Sequence, residues 1–255
     1  MDLTRQILVW AHIILGFTGL VAFWFPIFSR KGSRLHKRIG RIFVNCGYGV
    51  TISAAASCFL AIVQGIQHGV LREDPGKFAM ALFLGYLALV TFVTLRHSMR
   101  VLEHKKDPAG VSTPLDRGLA AASIGASLGL IVFALNFFES NGILLLALSP
   151  IGLNLGWGIF RYAGQQNPSK HAWFYEHISA ILGAGIAFHT AFAVFGLQRF
   201  LDVSSAGLIG LIPWVMPAAI GIPATSLWIR HYKKKFGELK PRAAMPEAGT
   251  VTAQS

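Results

Sequence analysis

Long apolar runs separated by short polar stretches dominate the chain. Seven of them cover about 5–28, 42–66, 77–96, 118–138, 142–162, 173–198 and 206–229. Each reaches the roughly 20 residues that a helix needs to cross hydrocarbon. The runs are continuous, whereas a membrane barrel reads as alternating segments of about ten residues. In hydrocarbon every backbone N–H and C=O needs a partner within the protein, and a helix supplies these from its own turns. The pattern predicts an all-α integral membrane protein, a seven-helix bundle over 1–236. The polar, small-residue stretch "GELKPRAAMPEAGTVTAQS" at 237–255 is expected to be a disordered cytoplasmic tail.

Composition agrees with the pattern. The chain is 53% hydrophobic and 13% charged, and a soluble domain carries about a quarter charged residues. Its net charge of +12 is concentrated in a few segments. Six Lys or Arg lie in 29–41, five in 96–117, two in 161–170 and six in 230–242. Only Arg5, Arg72, Lys77 and Arg199 fall in the alternate stretches. The positive-inside rule then puts the N-terminus outside and the C-terminus in the cytoplasm. Trp10 and Trp214 are expected at the outer interface, and Trp24, Trp173 and Trp228 at the inner one.

The stretch "SRKGSRLHKRIGR" at 29–41 is read as a cytoplasmic turn. Its cations Arg30, Lys31, Arg34, Lys37, Arg38 and Arg41 are placed to meet anionic lipid headgroups, at roughly 1 kcal/mol each. The partner is therefore a lipid bilayer. Nucleic acid is excluded, because binding it needs a basic groove or stacking platform in a soluble domain. The first run is longer than a signal-peptide core and lacks an A-x-A-like site, so it reads as a retained helix. Cys46 and Cys58, about 18 Å apart along helix 2, cannot bond each other and read as core thiols.

Small-residue spacings mark close helix packing: Ala121, Gly125 and Gly129 in helix 4, and Ser179, Gly183 and Ala187 in helix 6. Helix 7 contains "PWVMPAAIGIP". Its prolines predict a kink or local unwinding, with a substrate-lined broken helix as the functional alternative.

Candidate chemistry rests on histidines, since ionisable groups inside membranes are costly. By helical rise, His12 and His189 share an outer level, and His36, His97 and His177 an inner one. Facing imidazoles across a bundle can hold a b-type haem, and two such sites would pass electrons across the membrane. Quinone, lipid or metal binding are alternatives, as is simple hydrogen bonding of each ring within the bundle. A metal-dependent hydrolase is disfavoured: no H-x-x-x-H occurs in the spans, and Glu176 is the only acid beside a candidate histidine. No catalytic motif is found, so any activity expected here is electron transfer.

The segment "HIILGFTGLVAFWFPIFSRKGSRLHKRIGRIFV" resembles the start of an uncharacterised bacterial multi-pass membrane family of unknown function, through His12, Gly16, Pro26, Lys31, Gly32, His36 and Gly40. "WFYEHISAILGAGIAFHTAF" is similar to a late helix of such proteins, through Trp173, His177 and the TAF at 190–192. The resemblance implies topology and a bacterial cytoplasmic (inner) membrane, and it favours His12, His36 and His177 over His189. The functional expectation is a membrane protein binding haem b or quinone. The alternatives are a small-solute or lipid transporter using helix 7, and a non-catalytic assembly factor.

Overall fold

A computed structural model of the chain describes residues 3–136, 142–196 and 210–239. Among them there is no strand. Seven helices are long and apolar enough to cross a membrane: Gln6–Phe28, Arg34–Gln67, Pro75–Glu103, Pro114–Asn136, Gly142–Ala163, Ala172–Gly196 and Ile212–Lys235. In chain order the elements are α1 (Leu3–Phe28), α2 (Arg34–Gln67), a single turn α3 (Val70–Glu73), α4 (Pro75–Glu103), α5 (Pro114–Asn136), α6 (Gly142–Leu148), α7 (Pro150–Ala163), α8 (Ala172–Ala191) and α9 (Ile212–Lys235). This architecture is consistent with a multi-pass membrane protein. Arg199 and 240–255 lie outside the described residues.

Helix α4 is the axis of the bundle. It packs on α2, α5, α7 and α8, while α1 lies on α2 and α8, and α9 on α8. Its most apolar window is 44% buried, against 6% for α9, so α9 sits at the rim. One core cluster gathers Ala22, Phe23, Phe43, Leu95, Ala184 and Phe188. Another joins Phe83, Tyr86, Leu130 and Leu145 to Trp214. Trp214 therefore packs in the core against Phe83 and Phe195, where the sequence suggested an interfacial belt.

The helices reach further into the basic stretches than the apolar runs do. Helix α2 begins at Arg34, so 34–41 is helical and the turn shrinks to 29–33. Gly32 takes a left-handed φ of 78° there, and Ser33 caps α2 by accepting from the His36 N–H at 3.2 Å. Likewise α4 runs to Glu103 and α9 to Lys235. Lysines and arginines in a last turn complement the helix dipole, which lengthens these ends instead of breaking them.

The discontinuous span is the fifth, not the seventh. It divides into α6 and α7 at Ser149–Pro150, where proline supplies no N–H to continue the ladder. Tyr86 of α4 covers the break. Its hydroxyl donates to Ser149 O at 2.7 Å and accepts from the Gly152 N–H at 2.8 Å. Ser149 keeps right-handed helical angles (φ −59°, ψ −33°), so the interruption is in the hydrogen-bond ladder, and the protein supplies the missing partners. Helix α9 stays continuous through Pro217 and Pro223, and α8 passes into a π turn at Phe192–Gly196.

Close packing also falls on other positions than the expected stripes. Ala121, Gly125 and Gly129 face outward, and a Cβ on either glycine would meet nothing within 4 Å. The buried face of α5 carries Ala120, Ser123 and Ser127. Against it lie Gly152 and Gly156 of α7, where a Cβ would stand 2.6 Å from Ser123 O and 2.5 Å from Ala120 O. On α8 the tight approach is at Gly185, whose missing side chain leaves room for the Phe23 ring, one residue beyond Ala184.

Candidate functional site

The basic turn divides into two kinds of cation. Arg30, Arg34, Lys37, Arg38 and Arg41 are exposed, as headgroup contacts require. Lys31 is half-buried and committed to the protein. Its Nζ donates to Pro26 O at 2.7 Å and Ile27 O at 2.8 Å, two carbonyls that the end of α1 leaves without helical partners. It also lies 4.5 Å from the centre of the Trp228 ring of α9. Burial pushes the Lys31 amine below its ordinary range. His36 joins the same cap, with Nδ1 donating to Pro26 O at 3.1 Å. Lys31 and His36 thus lock the end of α1 to α2 and α9.

The remaining histidines also hold helices together. His12 Nδ1 lies 3.1 Å from both Val50 O and Ser53 Oγ of α2. His189 Nδ1 donates to Gly185 O within its own helix at 2.7 Å, and its ring packs edge-on against Phe23 and Trp24. Phe23 is roughly 17 Å further along α1 than His12. His12 and His189 are therefore not brought together, and the outer haem pair does not fit. The shared level assumed that the first turn of α1 and the last turn of the sixth span lie at one depth. In fact Gly185, well into α8, faces Phe23, close to the end of α1, so α8 begins about 10 Å beyond that end.

At the basic end two bonds clasp α4 to α8. His97 Nε2 donates to Glu176 Oε1 at 2.8 Å, and His177 Nδ1 to Ser98 O at 3.1 Å. His97 thus faces a carboxylate, not another imidazole. Beside it, Asp116 accepts from Arg96 Nε at 2.6 Å, Arg100 Nε at 3.3 Å and Thr113 Oγ1 at 2.5 Å. These charges saturate one another around a cavity of about 10 Å³, space for about one water. No group of three or more His, Cys, Asp or Glu converges among the described residues. Cys46 and Cys58 are both free thiols.

The roomy site lies at the same basic end, between α7, α8 and α9. It is an open cavity of about 460 Å³. Tyr162 from the end of α7, the polar connection 165–169, Tyr175 and Glu176 from the start of α8, Lys233 of α9, and Glu238 line it. Glu238 closes one side. It accepts from His171 Nδ1 at 2.7 Å, Tyr175 OH at 2.8 Å and Ser169 OH at 3.3 Å, while the His171 ring stacks on Phe236 at 4.1 Å. Burial opposes ionisation of Glu238, but these donors together outweigh it and hold the carboxyl below its ordinary range. So the first residues of the expected tail are docked.

Tyr162 is the anomaly of this cavity. The residue is 3% exposed, and His97 meets it edge-on at 5.8 Å. Its hydroxyl is nevertheless buried, with no hydrogen-bond partner among the described residues. A buried hydroxyl left unpaired costs about 1–3 kcal/mol, and such groups call for a specific explanation. Opposite it, Glu176 uses one carboxylate oxygen on His97. The Lys233 ammonium rests 5.2 Å from the Tyr175 ring centre and makes no ion pair among the described residues.

None of the residues in this cavity was a sequence candidate. The available signal was "GQQNPSKH" at 164–171, a polar connection with few cations for its side of the protein. The chain matches no protein-family model, and it has no match among curated proteins or solved structures.

Proposed function

We propose that the chain is a seven-span protein of a bacterial cytoplasmic membrane, N-terminus outside and C-terminus inside, that binds and carries a small polar solute. Its cytoplasmic-side site is the cavity at the basic end. The observation that carries this reading is the open cavity of about 460 Å³, whose lining holds a Glu176 carboxylate oxygen and a Lys233 ammonium that no described residue pairs. The asymmetry of Lys and Arg supports the orientation. A reporter fused after Leu239 is expected in the cytoplasm, and a periplasmic signal refutes the orientation.

The binding test is thermal unfolding of the purified protein in detergent against a panel of small polar solutes. A binding solute raises the midpoint by mass action. Asn167→Trp places a bulky ring in the cavity's lining and removes that response. A panel that never shifts the wild type, or an Asn167→Trp protein that responds normally, refutes the reading.

One observation favours a second reading, a single redox site at the basic end. His36 and His177 each have Nδ1 on a carbonyl, leaving Nε2 without a partner among the described residues, which is how ligating histidines are oriented. These two would hold a haem b, which would supply one-electron chemistry. A Soret band lost in His177→Ala supports it, and a colourless protein after haem supplementation removes it.

A further inference from the structure

The unspent groups of the cavity define the charge of its ligand. Four ionisable side chains line or touch it: His171, Glu176, Lys233 and Glu238. Glu238 is saturated, with three donors on its two oxygens and His171 as one of them. Glu176 has one oxygen on His97 and a second with no hydrogen bond to any described residue. Lys233 has an aromatic face beneath it and no carboxylate. What remains is one carboxylate oxygen and one ammonium.

A ligand with a single charge would pair with one of these and leave the other without a charge partner. A ligand carrying both signs pairs both. Resting on the solute-binding reading, we propose that the cavity takes a small zwitterion of the α-amino-acid type, its ammonium toward Glu176 and its carboxylate toward Lys233. Gln165, Gln166 and Asn167 on the connection bring amides that both donate and accept, suited to a polar side chain. The volume lies within the about 300–1,000 Å³ of small-ligand sites.

The full-length protein in detergent is unfolded thermally with each of the twenty common α-amino acids. For any that stabilises it, the matching amine without the carboxylate and the matching acid without the amino group are compared, alongside neutral sugars. At least one amino acid raises the midpoint, and its amine and acid bind the wild type at least tenfold more weakly. Lys233→Gln weakens the amino acid at least tenfold and brings it level with its amine. Glu176→Gln has the converse effect, bringing it level with the acid. Because Glu176 also holds His97, Lys233→Gln at the rim is the variant that tests charge without disturbing the α4–α8 clasp. An amine or an acid that binds the wild type as well as the amino acid overturns the proposal, as does a Lys233→Gln protein with unchanged affinity. Stabilisation by neutral sugars alone overturns the zwitterion but leaves solute binding standing. No response to any of these compounds overturns both.

Discussion

Tyr86→Phe isolates the energy of covering a broken membrane helix. The substitution keeps the ring, which is 5% exposed in the core, and removes one oxygen. That oxygen serves Ser149 O at 2.7 Å and the Gly152 N–H at 2.8 Å, with longer contacts to Leu148 O at 3.2 Å and Ser127 Oγ at 3.3 Å. Ser127 can turn to its own helix, so two backbone groups are stranded. At about 1–3 kcal/mol for each buried unpaired group, the cost is roughly 2–6 kcal/mol. Interhelical hydrogen bonds in membranes average only about 0.6 kcal/mol, because the reference state finds other partners. Here the stranded groups are backbone beside Pro150, with the Ser127 hydroxyl as the one substitute near Gly152 among the described residues, so about 2 kcal/mol is expected. The assay is equilibrium unfolding in mixed micelles titrated with SDS. Tyr48→Phe is the control, since the Tyr48 hydroxyl makes no hydrogen bond to any described residue. A Tyr86→Phe loss below about 1 kcal/mol, or one equal to the control, refutes the claim that this hydroxyl sustains the break.

Three other outcomes follow from the packing and the charges. Lys31→Met strips two charge-assisted bonds from the end of α1 and should cost about 1–3 kcal/mol in the same assay, whereas exposed Arg34→Gln should cost under about 0.5. Gly156→Ala drives a methyl into Ala120 O and should cost about 1–3 kcal/mol, while Gly125→Ala, with open space before it, should be neutral or slightly stabilising; equal effects would return the contact to the α5 stripe. Glu238 has a carboxyl held below the ordinary value of about 4.5, so its contribution is complete above that pH and disappears as the pH falls through its folded value. The thermal midpoint of wild type should therefore exceed that of Glu238→Gln at pH 7, with the gap closing only below about pH 4.5; a gap that does not change with pH contradicts the docking.

The seven spans were legible because span length is set by the thickness of hydrocarbon, and each run meets it unaided. Span ends were not, because Arg34, Arg100 and Lys233 read as loop cations although they continue helices. The break in span five was present in the sequence as Ser149–Pro150, but it sits inside an apolar run, while the three prolines around α9 were more conspicuous. Proline effects depend on neighbours, and only the fold shows that Tyr86 faces one proline site. The histidines drew attention by type, yet each ring is tied to a carbonyl, hydroxyl or carboxylate that sequence cannot place. The cavity was invisible for a related reason. Tyr162, Glu176, Lys233 and Glu238 come from separate helix ends, follow no periodicity, and meet only because α8 extends past α1.

The docking of Glu238 imposes an order on how the protein matures. Tyr162 and the 165–169 connection are translated well before α9, yet the wall they face is completed only when Glu238 meets His171 and Tyr175. A chain still at the ribosome can insert six spans and hold the α4–α8 clasp while its cavity lacks both Lys233 and one side. On the proposed solute-binding reading, ligand capture waits for completion of the last helix, and a nascent protein passes through insertion without sequestering solute.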